Sequence, residues 1–224
     1  MKNTALLLSA VTKYLVGLFF FGVLLFLPAG TLFYPGALLL TALLFLPTLL
    51  LGVILYLRAP SLLEKRLAAK EKEKTQRGVI SASALLLILG FVFAGLDFRF
   101  GWTQTPDIVV YAASAVFLVS YGLYAEVLRE NAYLSRTVEI QEHQRVIDSG
   151  LYGIVRHPMY AAAILLFLSM PLVLGSWISF LCFLPFPVLL IVRIRGEEAL
   201  LCRELPGYTE YTQRVRWRLL PFLW

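Results

Sequence analysis

The chain has 224 residues, of which 59% are hydrophobic and 15% charged, with a formal net charge of +6. Its mean hydropathy of +0.78 excludes an ordinary soluble domain, in which charged residues make up about a quarter of the total. The basic excess does not point to nucleic acid, because no basic helix, stacking platform or nucleic-acid motif accompanies it.

A bilayer crossing needs roughly 20 apolar residues. Six runs approach that length, at about 12–30, 34–57, 79–96, 107–128, 158–174 and 177–194. The expected fold is therefore all-α, a polytopic membrane helix bundle of about six spans. The first run does not read as a cleaved signal peptide, because its apolar stretch is long and no small-x-small site follows it. The fifth and sixth are short and interrupted by proline, so they read either as one tight helical hairpin or as two half-buried helices. Glu and Lys alternate at helical spacing from Lys65 to Arg77, which predicts a surface helix. Thr137 to Gln141 alternates polar and apolar residues in the manner of a short extended segment.

The charges predict the orientation. With six spans, Lys2 and Lys13, the basic residues of 58–77, Arg129, Arg136, Arg145 and Arg156, and those from Arg193 onward share one face. Arg99 is left alone on the other. The positive-inside rule then makes both termini cytoplasmic, and the net charge reads as topology and contact with anionic membrane lipid.

Cysteine adds little. Cys182 lies in the last span and Cys202 in the tail, no CxxC or His/Cys cluster suggests a metal, and Cys202 reads as a small buried hydrophobe.

The informative half begins at Glu130, so the chain divides into N-terminal spans, 1–128, with a charged inner loop at 58–78, and a C-terminal region, 129–224. Asp148 to Gly153 supplies turn residues, and Pro158 suits the first position of a helix, where its missing amide hydrogen costs nothing. Arg156 and His157 thus stand beside a helix N-terminus whose free amides attract an anion. Ionisable groups at the ends of membrane helices are costly and mark sites. Farther on, Arg193 and Glu197 are four apart on one helix face, which is also the spacing of an intrahelical ion pair at the interface. Tyr208, Tyr211 and Val215 mark an amphipathic tail, read as anchoring, with Trp217, Phe222 and Trp224 as interfacial aromatics.

Three motifs occur in order: Gly-x-Tyr-x-x-x-Arg-His-Pro-x-Tyr from Gly150 to Tyr160, Arg-x-x-x-Glu-Glu-x-x-Leu from Arg193 to Leu201, and Tyr-x-x-Tyr-x-x-x-Val from Tyr208 to Val215. Together they resemble the isoprenylcysteine carboxyl methyltransferase family, in a bacterial branch, whose wider relatives include membrane phospholipid methyltransferases. The resemblance covers about 130–221. It implies S-adenosylmethionine as methyl donor in a pocket open to the cytosol, with the protein in a bacterial inner membrane. The cofactor contacts it implies are Gln144, Arg145, Val146, Ile147, Tyr152, His157, Pro158, Met159, Tyr160 and Glu197. It implies Arg193 as the catalytic and substrate-binding arginine facing an acceptor carboxylate. Gln144 stands where members often carry His, and Leu205-Pro-Gly207 replaces the usual Phe-Gly.

The residue types suit that chemistry. A carboxylate acceptor is already ionised at neutral pH, with a reference pKa near ~4, so it needs a partner such as the planar Arg fork. It does not need a base. An amine acceptor needs its proton removed, a task open to His157 or Glu198. The resemblance implies O-methylation of a carboxylate on a prenylated or otherwise hydrophobic, lipid-linked acceptor. N-methylation of a phospholipid or lipid amine is one alternative, and a non-catalytic membrane scaffold that kept the fold is another. Acceptor identity and oligomeric state are left open.

Overall fold

The computed structural model describes residues 2–67, 74–131, 133 and 144–224. The apolar runs become the long helices α1 (Lys2–Ala29), α2 (Pro35–Arg58), α4 (Lys74–Phe100) and α5 (Asp107–Glu130). A short α3 (Pro60–Leu67) follows α2, and α6 (Pro158–Val173), α7 (Trp177–Phe183), α8 (Phe186–Glu204) and α9 (Tyr208–Arg214) complete the chain. Among the described residues five helices are long and apolar enough to cross a membrane, with α7 and α8 counted as one from Trp177 to Glu204. The fifth expected span, α6, is shorter. Its 16 residues rise ~24 Å at 1.5 Å each, less than the ~30 Å hydrocarbon core. The protein is an integral membrane helix bundle.

The hairpin reading of the last two runs holds, with α6 turning into α7 through Gly175 at φ +76°. The final span bends at Leu184–Pro185 and continues well past the apolar run, because α8 stays helical through its charged half to Glu204. In the charged loop, α3 ends at Leu67 and α4 begins at Lys74. The middle of the surface helix expected there lies outside the described residues, as does the extended segment expected at 137–141. Lys13 of α1 donates to the Leu67 carbonyl at 2.7 Å, which ties the end of α3 to the bundle.

The core gathers Phe21, Leu25, Leu40, Phe91, Phe117 and Phe183 from α1, α2, α4, α5 and α7. Lipid tails are as apolar as these side chains, so burying them gives helices little reason to associate. Close backbone approach and polar contacts do more of that work. Gly36 lies so near the turn after α6 that a Cβ there would sit 2.8 Å from the Leu174 carbonyl oxygen. Gly95 approaches α1 equally closely, at 2.7 Å from the Leu25 carbonyl oxygen.

This end of the bundle carries a polar lock that the sequence reading did not anticipate. Asp97, 2% exposed, accepts from the Thr103 amide at 2.7 Å, from the Thr103 hydroxyl and from the Ser176 hydroxyl. Tyr34 donates to the Leu174 carbonyl at 2.6 Å and stacks on Phe98 with ring centres 4.1 Å apart. Buried polar groups at membrane depth must be satisfied within the protein, and these are.

Gly36→Ala should therefore lower the melting temperature of the detergent-solubilised protein by several degrees, since overpacking costs ~1–3 kcal/mol. Gly52→Ala, with nothing within 4 Å of the added methyl, should leave it unchanged or slightly higher. Equal melting temperatures for the two variants would contradict this packing.

Candidate active site

At the end of the bundle away from Asp97, α5 finishes, α6 begins and the charged half of α8 runs past both. The segment 144–157 crosses this end and is held at several points. The Glu130 carboxylate accepts from the Leu151 amide at 2.9 Å, and Gly150, at φ +54°, lies so close to it that any Cβ would collide with the carboxylate. Asn131 donates to the Tyr152 hydroxyl at 3.0 Å. Tyr211 of α9 donates to the Tyr152 carbonyl at 2.7 Å, and Arg214 pairs with Asp148 at 2.8 Å.

The chain after α9 returns along the loop. The Arg156 amide donates to the Trp217 carbonyl and the His157 amide to the Arg218 carbonyl, both at 2.9 Å. The Arg156 guanidinium also donates to the carbonyls of Val215 at 2.9 Å and Arg216 at 3.1 Å. Trp224 packs beside Tyr160, Phe186 and Ile194 with the Arg218 guanidinium over its ring. The expectation of a tail that merely anchors is therefore corrected for Tyr208, Tyr211, Val215 and Trp224, which are wall and clasp. Phe222 does remain exposed. Cys202 is exposed, not buried, because it falls on the outer face of α8.

Glu198 is the hub of this assembly. Its carboxylate, 8% exposed, accepts from Arg156 Nε at 2.7 Å, from His157 Nε2 at 3.2 Å and from Arg218 Nε at 2.7 Å. An ionised carboxylate only accepts, so the hydrogen-bond network assigns the His157 proton to Nε2 and leaves Nδ1 as the other ring position. One turn away, the Tyr160 hydroxyl accepts from Arg193 Nε at 3.0 Å and donates to the Glu197 carboxylate. Arg193 and Glu197 thus both meet a side chain of α6, which the isolated reading of an intrahelical pair did not include.

Around these groups lies a cleft open to one side. Of the residues expected at the site, Gln144, Arg145, Val146, Ile147, Tyr152, His157, Met159, Tyr160, Arg193 and Glu197 line it. Pro158 does not; it occupies the first position of α6 and shapes the approach of its neighbours. The cleft also includes Arg156, which the sequence marked beside a helix N-terminus without a ligand role, and Asn131, Leu200, Leu201, Leu205, Tyr208 and Tyr211, which were not assigned to the site from sequence. The Tyr-x-x-Tyr-x-x-x-Val spacing was the signal available, since it puts Tyr208, Tyr211 and Val215 on one helix face, and that face is buried with Leu205, Val146 and Leu201. Among the described residues no group of His, Cys, Asp and Glu could hold a metal.

The phenols of this wall are donors, not bases. Burial, the largest cause, pushes the Tyr152 hydroxyl up to about 12, and burial likewise raises Tyr208 and Tyr211. They stay protonated across the neutral range. The Tyr211 hydroxyl is committed to the Tyr152 carbonyl, whereas the buried Tyr208 hydroxyl has no partner among the described residues.

Residues 108–205, from α5 through α8, match the phospholipid methyltransferase family. This stretch is similar to the membrane methyltransferases of that family. The match stops short of α9 and the returning tail, which carry Tyr208, Tyr211 and Arg218.

Glu198→Ala should destabilise the protein by ~3–5 kcal/mol, the cost of leaving buried cations uncompensated, and should free the tail. Limited proteolysis reads this directly: cleavage after Arg216 or Arg218 should be fast in Glu198→Ala and slow in the parent. Equal cleavage rates would mean that Glu198 does not clasp the tail.

Proposed function

We propose that the protein transfers a methyl group from S-adenosylmethionine to a carboxylate on a prenylated or otherwise hydrophobic acceptor. The observation that carries this reading is the commitment of Glu198. Glu198, one of the two groups to which an amine's proton could fall, lies behind the cleft lining and already accepts from Arg156, His157 and Arg218. A carboxylate acceptor needs no base and does need a cation, and Arg193 lines the cleft.

The residues of the cleft fit the donor. A wall of Tyr208, Tyr211, Leu201, Leu205 and Val146 suits a flat apolar ring, the buried and unpartnered Tyr208 hydroxyl suits a polar ring edge, and Glu197 suits an ammonium or hydroxyl group. Gln144, Arg145, Val146, Ile147, Tyr152, His157, Pro158, Met159, Tyr160 and Glu197 are the residues we assign to holding it. Bound there, S-adenosylmethionine supplies a methyl group on a sulfonium for in-line displacement. The protein's part is then largely positioning, which can supply much of the barrier reduction. Tyr160 braces Glu197 and Arg193 together. Arg193 is the residue we assign to the acceptor carboxylate, because its planar fork matches that group's geometry. A lipid-borne acceptor enters from the bilayer side while the polar donor enters from water. The methyltransferase region is 129–224, and 1–128 is its membrane frame.

The second reading is N-methylation of a phospholipid or lipid amine, favoured by the name of the matching family. It assigns proton removal to His157 through Nδ1. Orientation belongs to the same proposal: the one-sided Lys and Arg distribution supports both termini and the cleft lying on the cytoplasmic side of a bacterial inner membrane. Single cysteines at Ser149 and Gln104, in a background lacking Cys182 and Cys202, should label from opposite sides; labelling from one side would reject it.

Arg193→Ala should abolish methyl transfer while S-adenosylmethionine affinity, read by calorimetric titration, changes little, because the lost contact is to the acceptor. Arg193→Lys should be poor as well, since a point charge does not reproduce the fork. The labelled product should release its methyl group in mild alkali, as an ester does. Normal turnover of Arg193→Ala, or an alkali-stable product, would overturn carboxyl methylation.

A further inference from the structure

Tyr208 is 5% exposed and lines the cleft, yet its hydroxyl has no hydrogen-bond partner among the described residues. Leaving such a group unsatisfied is costly, and native proteins satisfy the great majority of buried polar side-chain atoms. An orphan of this kind on the wall of a cleft is where an occupant's own polar edge belongs.

The surroundings narrow the occupant. The Tyr208 ring packs in a cluster with Leu205, Tyr211, Val215, Val146 and Leu201, and the Tyr211 ring lies 5.5 Å away at 54°. This stretch of wall is apolar and aromatic. It holds two phenols, one tied to the Tyr152 carbonyl and one orphaned. The ionic groups Arg193 and Glu197 meet instead at Tyr160 of α6. A ligand that spans the cleft thus meets charge at one part and a flat apolar surface with a single buried hydroxyl at another. A purine matches the second part: its face packs against rings and branched chains, and its edge carries both acceptors and donors. A phenol kept protonated can donate to such an edge or accept from it.

We propose that Tyr208 is a purine-binding residue, with its hydroxyl completed by the edge of the adenine of S-adenosylmethionine and its ring forming the adjoining wall. This inference rests on the reading that the cleft binds that donor. It adds a contact from α9, beyond the part of the chain that matches the family, and gives the tail a direct share in cofactor selection.

Tyr208→Phe tests it, because the substitution removes the hydroxyl and little else. Calorimetric titration of the full chain in detergent with S-adenosylhomocysteine should show roughly tenfold weaker binding in the variant. The melting temperature of the ligand-free protein should be unchanged or higher, since an unsatisfied polar atom has been removed. The expected pair of signs, weaker binding without lost stability, is one that a merely structural tyrosine would not give. The titration is then repeated with 5′-methylthioadenosine, which keeps the purine and lacks the amino-acid end. An equal fold loss supports the assignment to adenine. Loss for S-adenosylhomocysteine alone would move Tyr208 to the amino-acid end and overturn it. Unchanged affinity in Tyr208→Phe, with the parent protein binding normally, would overturn this inference alone. Failure of the parent protein to bind either compound would overturn the donor assignment as well.

Discussion

A carboxylate that is 8% exposed needs cations around it, and at Glu198 three separate stretches of chain supply them. Arg156 and His157 come from the loop before α6, and Arg218 comes from the returning tail. The loop, α8 and the tail are thereby drawn to one point, and the cleft is the space left between them. Without that pairing the tail keeps its backbone bonds to the loop but loses the charge balance that makes the arrangement cohesive. Glu198 is also removed from chemistry by the same contacts. Its neighbour Glu197 meets Tyr160 instead and lines the cleft, so of two adjacent carboxylates one clasps the tail and the other faces the open space.

The two ends of the bundle carry different duties. The Asp97 end is closed, with every oxygen of that carboxylate occupied, and with Gly36 and Gly95 letting backbones approach closely. The other end stays open because α6 is short. Its first residues, Pro158 to Tyr160, start level with the charged turns of α8, and α8 and the loop rise past them to form walls. A closed end at Asp97 and an open end at the cleft suit the proposed enzyme, whose polar ligand and hydrophobic acceptor arrive from different phases.

Much of this was legible in the sequence. Apolar run length gives the bundle, because the bilayer fixes the length of a crossing helix, and the motif residues His157, Tyr160, Arg193 and Glu197 do converge on one cleft. What stayed hidden depended on three-dimensional return of the chain. Nothing local tells that the tail folds back on the loop rather than lying on the membrane, so Tyr208, Tyr211 and Trp224 read as anchors. Asp97 sits at the end of a span beside Arg99, and its partners Thr103 and Ser176 come from a loop and from the turn before α7, so no spacing rule connects them. Leu200, Leu201 and Leu205 look like any amphipathic face until the cleft gives that face something to line.

The central claim is that this cleft, built from the loop, α8 and the tail, binds the methyl donor. Ultraviolet cross-linking of the full-length protein in detergent with radiolabelled S-adenosylmethionine, followed by peptide mapping, tests it most directly. Saturable label, displaced by S-adenosylhomocysteine, should fall in peptides within 144–160 and 193–211. Label that is not saturable, or that maps to α1–α4, would contradict the account.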